Sequence, residues 1–404
     1  MFDSRIDYYR VDEDLPENQN TRPGTSSQYQ DTGLRFSERV RIALSEKTTL
    51  TATGAVTRQW QRSWATAGVT RAAMPFTDRL TPGRSEGWFV GGLYVSELRV
   101  DGDPWNLFAR AEVEGERGWL GFHHRFRSGI EMRREWNSGE GYQFDMEFPP
   151  QVSFNGVQGF DRPRSFEPIP ALATSSAYFD DRITGALGKD VGFSLQVGIR
   201  AEGLHEDGGW LPAQRDLLVQ PRLWAEVSPA EWVRFRGGWG ITSKAPSLGD
   251  LYPAQQYNDV VNVNWYANQP DERLAVLTTH IFDPTNQDLG LSKSIKLEGG
   301  VELERWGSVL AVTVFKNRIE GGVGFLQNPE SLLREHFQLT DSLNGNGIRP
   351  QIIEPASGAD TVPILVQRPT NFLNLETRGV ELSATLAELP KIRTRIQVQG
   401  SWLR

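Results

Sequence analysis

The chain has 404 residues, with 43 Lys and Arg against 51 Asp and Glu, a net charge of -8, and no cysteine. The acidic balance argues against a nucleic-acid binder, and the lack of cysteine removes disulfides, thiolate metal sites and a cysteine nucleophile. No stretch approaches the roughly 20 apolar residues of a membrane-spanning helix.

In chain order, residues 1–30 are polar, with no apolar leader core, so no signal peptide is expected. A weak strand is expected at Ile6–Val11, followed by an Asn-, Gln-, Pro- and Gly-rich segment over 12–32. Alternation with period two then marks strand after strand. Phe122, Phe126, Ile130 and Met132 alternate with Arg125, Arg127, Glu131 and Arg133 in 119–133. Phe193, Leu195, Val197 and Ile199 alternate with Ser194, Gln196 and Arg200 in 191–204. Val233, Phe235, Trp239 and Ile241 alternate with Arg234 and Arg236 in 232–242, and Ile295, Leu297, Val301 and Leu303 with Lys296, Glu298 and Glu302 in 294–304. The segment 308–315 is apolar on both faces, so its outward face cannot be read; 392–402 closes the series with Ile396, Val398 and Trp402.

Tight turns are expected at Ser45–Lys47, Glu116–Gly118, Lys189–Asp190, Ser228–Glu231, Trp306–Gly307 and Leu389–Lys391. Long connections take turns with them, over 65–103, 137–172, 205–216, 246–291 and 326–370, and 88–98 reads as a hairpin inside the first. Short turns at one end and long loops at the other are the habit of outer-membrane barrels. Several segments also hold register for the 9–11 residues or so that a membrane strand needs. Barrel strands average to a soluble-like hydropathy because their two faces differ; the mean hydropathy here is -0.45. The fold class expected is therefore all-β, a transmembrane antiparallel β-barrel of roughly 13 strands.

Three segments, in order, resemble the barrel of TonB-dependent outer-membrane receptors. Phe235 to Tyr252 is similar to that family's strand and loop with Lys244, Ala245, Pro246, Leu251 and Tyr252. Asn286 to Glu302 resembles a second motif, with Gln287 and Leu291 in place of its prolines and Ser292 in place of its first Glu; Asn374 to Ser383 resembles a third, through Gly379 and Glu381. The resemblance implies a barrel of 22 strands, of which residues 1–404 supply part. It further implies a plug domain and a TonB-contacting box, neither of which is found here, nor is the barrel's C-terminal aromatic end.

The implied function is active uptake of a scarce nutrient (siderophore, cofactor, glycan or peptide) across the bacterial outer membrane. The implied partners are membrane lipid, the TonB complex acting through the plug, and the ligand; no nucleic acid, cofactor, metal or covalent chemistry is expected. No G-x-S-x-G, phosphate-loop or dinucleotide signature occurs, and His123, His124, His205, His280 and His336 lack ligand spacing. Pro246 marks where a strand leaves its sheet, and Gly379 permits a close lumenal contact. Tyr252, Tyr257, Trp265 and Tyr266 are the candidate ligand contacts, against the plainer reading that loop aromatics pack the loop. Arg234, Arg236, Glu298, Glu302 and Glu381 face either a plug or a solvated lumen. A passive porin or adhesin barrel, and a soluble secreted all-β carbohydrate-binding protein, stand as alternatives. The last would bury Val197 and Phe235 in a protein core.

Overall fold

The computed structural model describes residues 2–15, 26–150, 162–188, 191–206, 214–340, 348–388 and 391–404. The chain is almost entirely strand: β1 (Phe2–Leu15), β2 (Ser26–Ser45), β3 (Thr48–Phe76), β4 (Gly83–Gly102), β5 (Pro104–Trp119) and β6 (Phe122–Asn137). Next come β7 (Gly141–Phe144), β8 (Leu172–Leu187), β9 (Val191–Glu206), β10 (Gln214–Ala230) and β11 (Val233–Lys244). After a short helix α1 (Leu248–Leu251) follow β12 (Gln256–Trp265), β13 (Leu274–Phe282), β14 (Ser292–Arg305), β15 (Ser308–Leu339), β16 (Ile352–Thr385) and β17 (Gln397–Leu403).

The antiparallel pairings trace one curved wall in the order β1-β2-β3-β5-β6-β8-β9-β10-β11-β14-β15-β16-β17. Those are the thirteen strands expected. The other four, β4, β7, β12 and β13, lie above the wall, where β4 pairs with the upper half of β3, with β7 and with β13. Among the described residues nothing pairs with the second edge of β1 or of β17, so the sheet is open.

Register assigns the faces. Val197, Leu223, Trp239 and Leu297 lie in one row across β9, β10, β11 and β14. This face is convex and bare: Val197 is 44% exposed and Phe235 51%, while concave-side Ser194 and Asp180 are each 7%. A soluble protein would cover such a band, since exposed apolar patches of this extent mark contact with another apolar phase. The same pairing settles 308–315: Leu310, Val312 and Val314 share the outward face with Leu303, Val301 and Gly299.

The band ends sharply on both sides. Toward the long loops, outward positions turn charged at Lys316 and Arg378, and Lys316 pairs with Glu376 at 3.1 Å. Toward the short turns stand Trp119, Trp232 and Trp306, at 60, 47 and 82% exposure, the aromatic girdle of a membrane interface. Arg305 lies 4.3 Å from the Trp306 ring, its charge able to reach the headgroups there.

Several expectations need correction. The turn placed at Glu116–Gly118 falls at Leu120–Gly121, where both residues take positive φ, 51° and 81°, as a two-residue hairpin turn requires. That at Ser228–Glu231 falls at Glu231–Trp232. β17 begins at Gln397 rather than 392. The connection 65–103 is strand through most of its length, because β3 and β4 extend past the membrane as a hairpin. Likewise 326–370 is strand on both limbs of β15 and β16. Extended loops pair with themselves because outside the bilayer a hairpin satisfies its own backbone groups. Lys189–Asp190, Leu389, and parts of the long connections at 16–25, 151–161, 207–213 and 341–347 lie outside the described residues.

Candidate functional site

The motif segment after β11 builds the inner wall of the upper lumen. Lys244 closes the β11–β14 ladder opposite Ser292, and Pro246, which has no N–H to donate, ends it. Ser247 then caps α1: its hydroxyl accepts from the Asp250 amide at 3.2 Å while the Asp250 carboxylate accepts from the Ser247 amide at 2.9 Å. This reciprocal box turns the chain inward and aims Leu251, 1% exposed, into a cluster with Leu172, Leu204 and Leu289. Ala245, Leu248, Tyr252 and Leu291 pack around it. An apolar knot thus sits on the concave side of a wall that is otherwise polar.

The knot places Tyr252 at the rim of a cavity of about 880 Å³. Wall residues Gln59, Asn106 and Glu135 form one side; Tyr142, Arg164 and Phe166 of the β6–β8 connection form the roof; Phe325 and Gln367 of the long hairpin close the back. Arg164 donates to the Tyr252 carbonyl at 2.7 Å, and burial pulls its guanidinium below the usual arginine range. A smaller cavity of about 290 Å³ shares Tyr142, Arg164 and Tyr252 and adds Tyr257. Burial pushes the Tyr257 hydroxyl up, opposed by Arg162 and Arg164. Arg162 is buried in an ion pair with Asp259 at 2.7 Å, 5.1 Å from the Tyr257 ring.

Of the four aromatics expected to touch ligand, Tyr252 and Tyr257 therefore meet at these cavities. Trp265 and Tyr266 do not join them. Trp265 packs against the cluster of Val263, Leu274 and Val276, and Tyr266 meets Phe89 edge-on at 5.2 Å and carries Arg273 over its ring at 4.3 Å. Gly379 is covered on the lumen side by the Phe315 ring, which a Cβ would meet at 2.7 Å. Glu381 sits exposed on the same face, opposite Thr313 and Ser401. Arg234 pairs with Glu302 at 2.8 Å and Arg236 donates to Thr313 at 2.9 Å, so much of the lumenal charge is already engaged. Arg164 and Phe166 were not singled out from sequence; they lie in a connection without periodicity, where nothing local marks an inward turn.

A convex apolar band, a charged concave face and an inward-folded motif loop together mark the wall of a membrane barrel. The sequence profile described as TonB dependent receptor-like, beta-barrel, matches residues 2–403. The chain belongs to this family of TonB-dependent receptors. Among solved structures, this receptor wall is similar to the outer membrane transporter YddB from Escherichia coli, with TM-score 0.55 and 12% identity over 100% of this chain and 45% of the other. It is also similar to the RagAB peptide importer in a closed-closed state, with TM-score 0.51 and 12% identity over 95% and 37%. A mutant of the ferric enterobactin receptor from Pseudomonas aeruginosa, in complex with enterobactin, matches with TM-score 0.47 and 14% identity over 92% and 52%. The receptor chain thus spans about half the length, or less, of these structures. No curated protein matches it. At such identities the shared property is the fold.

Proposed function

We propose that residues 1–404 form part of the wall and extracellular loops of an outer-membrane transporter that takes up a scarce nutrient with energy from TonB. The cavity of about 880 Å³ beneath the loops carries this reading. Its wall residues Gln59, Asn106 and Glu135 belong to the lumenal face, and it mixes aromatic rings with a half-buried cation and a carboxylate. Such a lining suits capture of a dilute polar ligand. Tyr252 and Tyr257 would be its contacts, held by the Leu251 knot and by Arg164. The polar wall below, with Arg234, Arg236, Glu298, Glu302 and Glu381, would face a plug, and polypeptide beyond these residues would close the barrel and contact TonB. No step in this cycle makes or breaks a covalent bond, so no enzymatic activity is assigned.

Uptake measured on whole cells tests the reading. Accumulation of radiolabelled candidates, taken in turn from ferric chelates, cobalamin, oligosaccharides and short peptides, should depend on this gene for at least one of them. It should also stop when a protonophore collapses the inner-membrane gradient. Gene-dependent uptake that a protonophore leaves unchanged would mark a passive pore. In the energised cells Tyr252→Ala should raise the half-saturating concentration without changing the amount of protein in the membrane.

A further inference from the structure

The outward face carries a depression inside the apolar band. Where β3, β5, β6, β8 and β9 run side by side, two neighbouring rows carry small residues on every strand but β6, chiefly Ala52, Gly54, Ala109, Ala111, Ala177 and Ala201, with Ile130 and Met132 of β6 standing among them. Bulkier rows bound them, with Leu50 and Val113 on the turn side and Val56 and Leu107 on the loop side. The result is a trough of about 830 Å³ in a surface that should otherwise be level. A row of small residues alone says little, because lipid chains fill any surface.

The next row on the loop side gives the trough a direction. It reads Val56, Leu107, Arg134, Ala173 and His205 across the same strands. Arg134 Nε and His205 Nδ1 are both buried and find no hydrogen-bond partner among the described residues. The other ring nitrogen of His205 is engaged, 2.5 Å from the Ser175 hydroxyl. No carboxylate among the described residues forms an ion pair with Arg134. Its neighbours are aromatic: the guanidinium lies 5.6 Å from the Trp136 ring, which stacks on Trp105 at 5.6 Å with planes 6° apart. Arg58, between Trp60 and Trp105 at 4.5 and 4.7 Å, continues the ladder but gives its charge to Asp103 in two 2.9 Å bonds. Arg134 and His205 stand two strand spacings apart, roughly 10 Å between backbones, with only the small Ala173 between them. Side chains of their length can converge on one group there.

We propose that this is a built site for one outer-leaflet lipid with a phosphate-bearing headgroup. The phosphate bridges Arg134 and His205, and acyl chain lies in the trough below. The guanidinium fork fits phosphate oxygens two at a time. Tryptophans at that depth match the interfacial layer where headgroups begin. Turned outward from that row, the two side chains would give an anion two donors that otherwise lie buried without partners, a costly arrangement near hydrocarbon. Glu38, at the far end of the trough, is engaged by the Ser4 hydroxyl and leaves the cationic end as the anchor.

Native mass spectrometry of the full-length protein, extracted from its own membrane in mild detergent, reads the occupancy. Wild type should retain one phosphate-bearing lipid per copy. Arg134→Gln should lower retention by about tenfold, the size of one lost charge-assisted hydrogen bond. Filling the trough with Ala109→Leu and Ala111→Leu together should lower it similarly, whereas Arg378→Gln, outward but distant, should not. Heat-modifiable migration on gels reports folding of each variant. Should a variant not fold, lipid-stripped wild type decides, by preferring a short-chain phosphatidic acid over the phosphate-free diacylglycerol of equal chain length. Undiminished retention in folded Arg134→Gln, retained lipid without an accessible phosphate, or equal binding of the two short-chain lipids overturns the proposal. So does a dimer that the trough-filling pair dissolves, or saturable binding of inorganic phosphate that displaces the lipid. The first assigns the trough to a second copy and the second assigns the cations to a soluble anion.

Discussion

Leu251 shows how one side chain shapes the vestibule. Four residues of helix cannot hold themselves; the capping box and the burial of Leu251 against Leu172, Leu204 and Leu289 hold them instead. Full burial of a leucine is worth about 1.5–3 kcal/mol, and its truncation to alanine in a packed site costs about 2–5 kcal/mol. Leu251→Ala should therefore leave the wall folded while amides of 247–252 exchange faster by at least tenfold. Unchanged exchange there would mean that the Arg164 bond to the Tyr252 carbonyl, not the knot, carries the loop. From sequence, Pro246 and Leu251 stood out through family resemblance, while the capping of Ser247 by Asp250 went unread. Their partners Leu172, Leu204 and Leu289 lie far away in sequence, and no local pattern links them.

At the scale of elements, the hairpin of β15 and β16 is the longest, running well past the charged boundary at Lys316 and Arg378. Its outer limb is braced by Arg334, which donates through both Nε (2.8 Å) and Nη2 to Asp360, and by His336 at 3.1 Å from the same carboxylate. The Arg334 hydrogen bond holds the Asp360 carboxyl below the usual 3.8. Because the folded value is depressed, the bracing is fully present above the unfolded value and is lost as pH falls through the folded one. The carboxyl carbon of Asp360, followed by NMR, should titrate with a midpoint below 3.8, and the pair should be intact throughout pH 5–7. A midpoint at or above 3.8 would show that the pair does not form in solution. With both side chains about 40% exposed, the pair serves geometry more than stability. Sequence reading placed both ends of this hairpin in the wall yet took its middle for loop, since residues solvated on both faces lose the alternation that betrays a strand.

For the molecule as a whole, the number of wall strands decides what the chain can do in a membrane. Neighbours in the wall are antiparallel, so β1 and β17, first and last of thirteen, run the same way. They cannot close on each other by the antiparallel pairing used everywhere else; an odd number of further strands must stand between them. The expected 22 meets that condition. Open edges leave unpaired backbone groups in hydrocarbon, at several kcal/mol or so each. Residues 1–404 alone should then give no stable conductance in planar bilayers, and a long-lived, single-sized channel from this polypeptide would refute the open-wall reading.

By itself the sequence determined the fold class, a wall of roughly thirteen strands and two distinct faces on those strands that alternate cleanly, because a period of two is local. It also determined the family, through Lys244 to Tyr252, Asn286 to Glu302 and Gly379 with Glu381. Only the tertiary structure decided the apolar face of 308–315, the meeting of Tyr252 and Tyr257 with Arg164, and the departure of Trp265 and Tyr266. It alone set Arg134 and His205 in one outward row above a trough. Each of these rests on register between strands or on contacts between distant loops. Such relations arise when separate segments pair, and no single segment carries them.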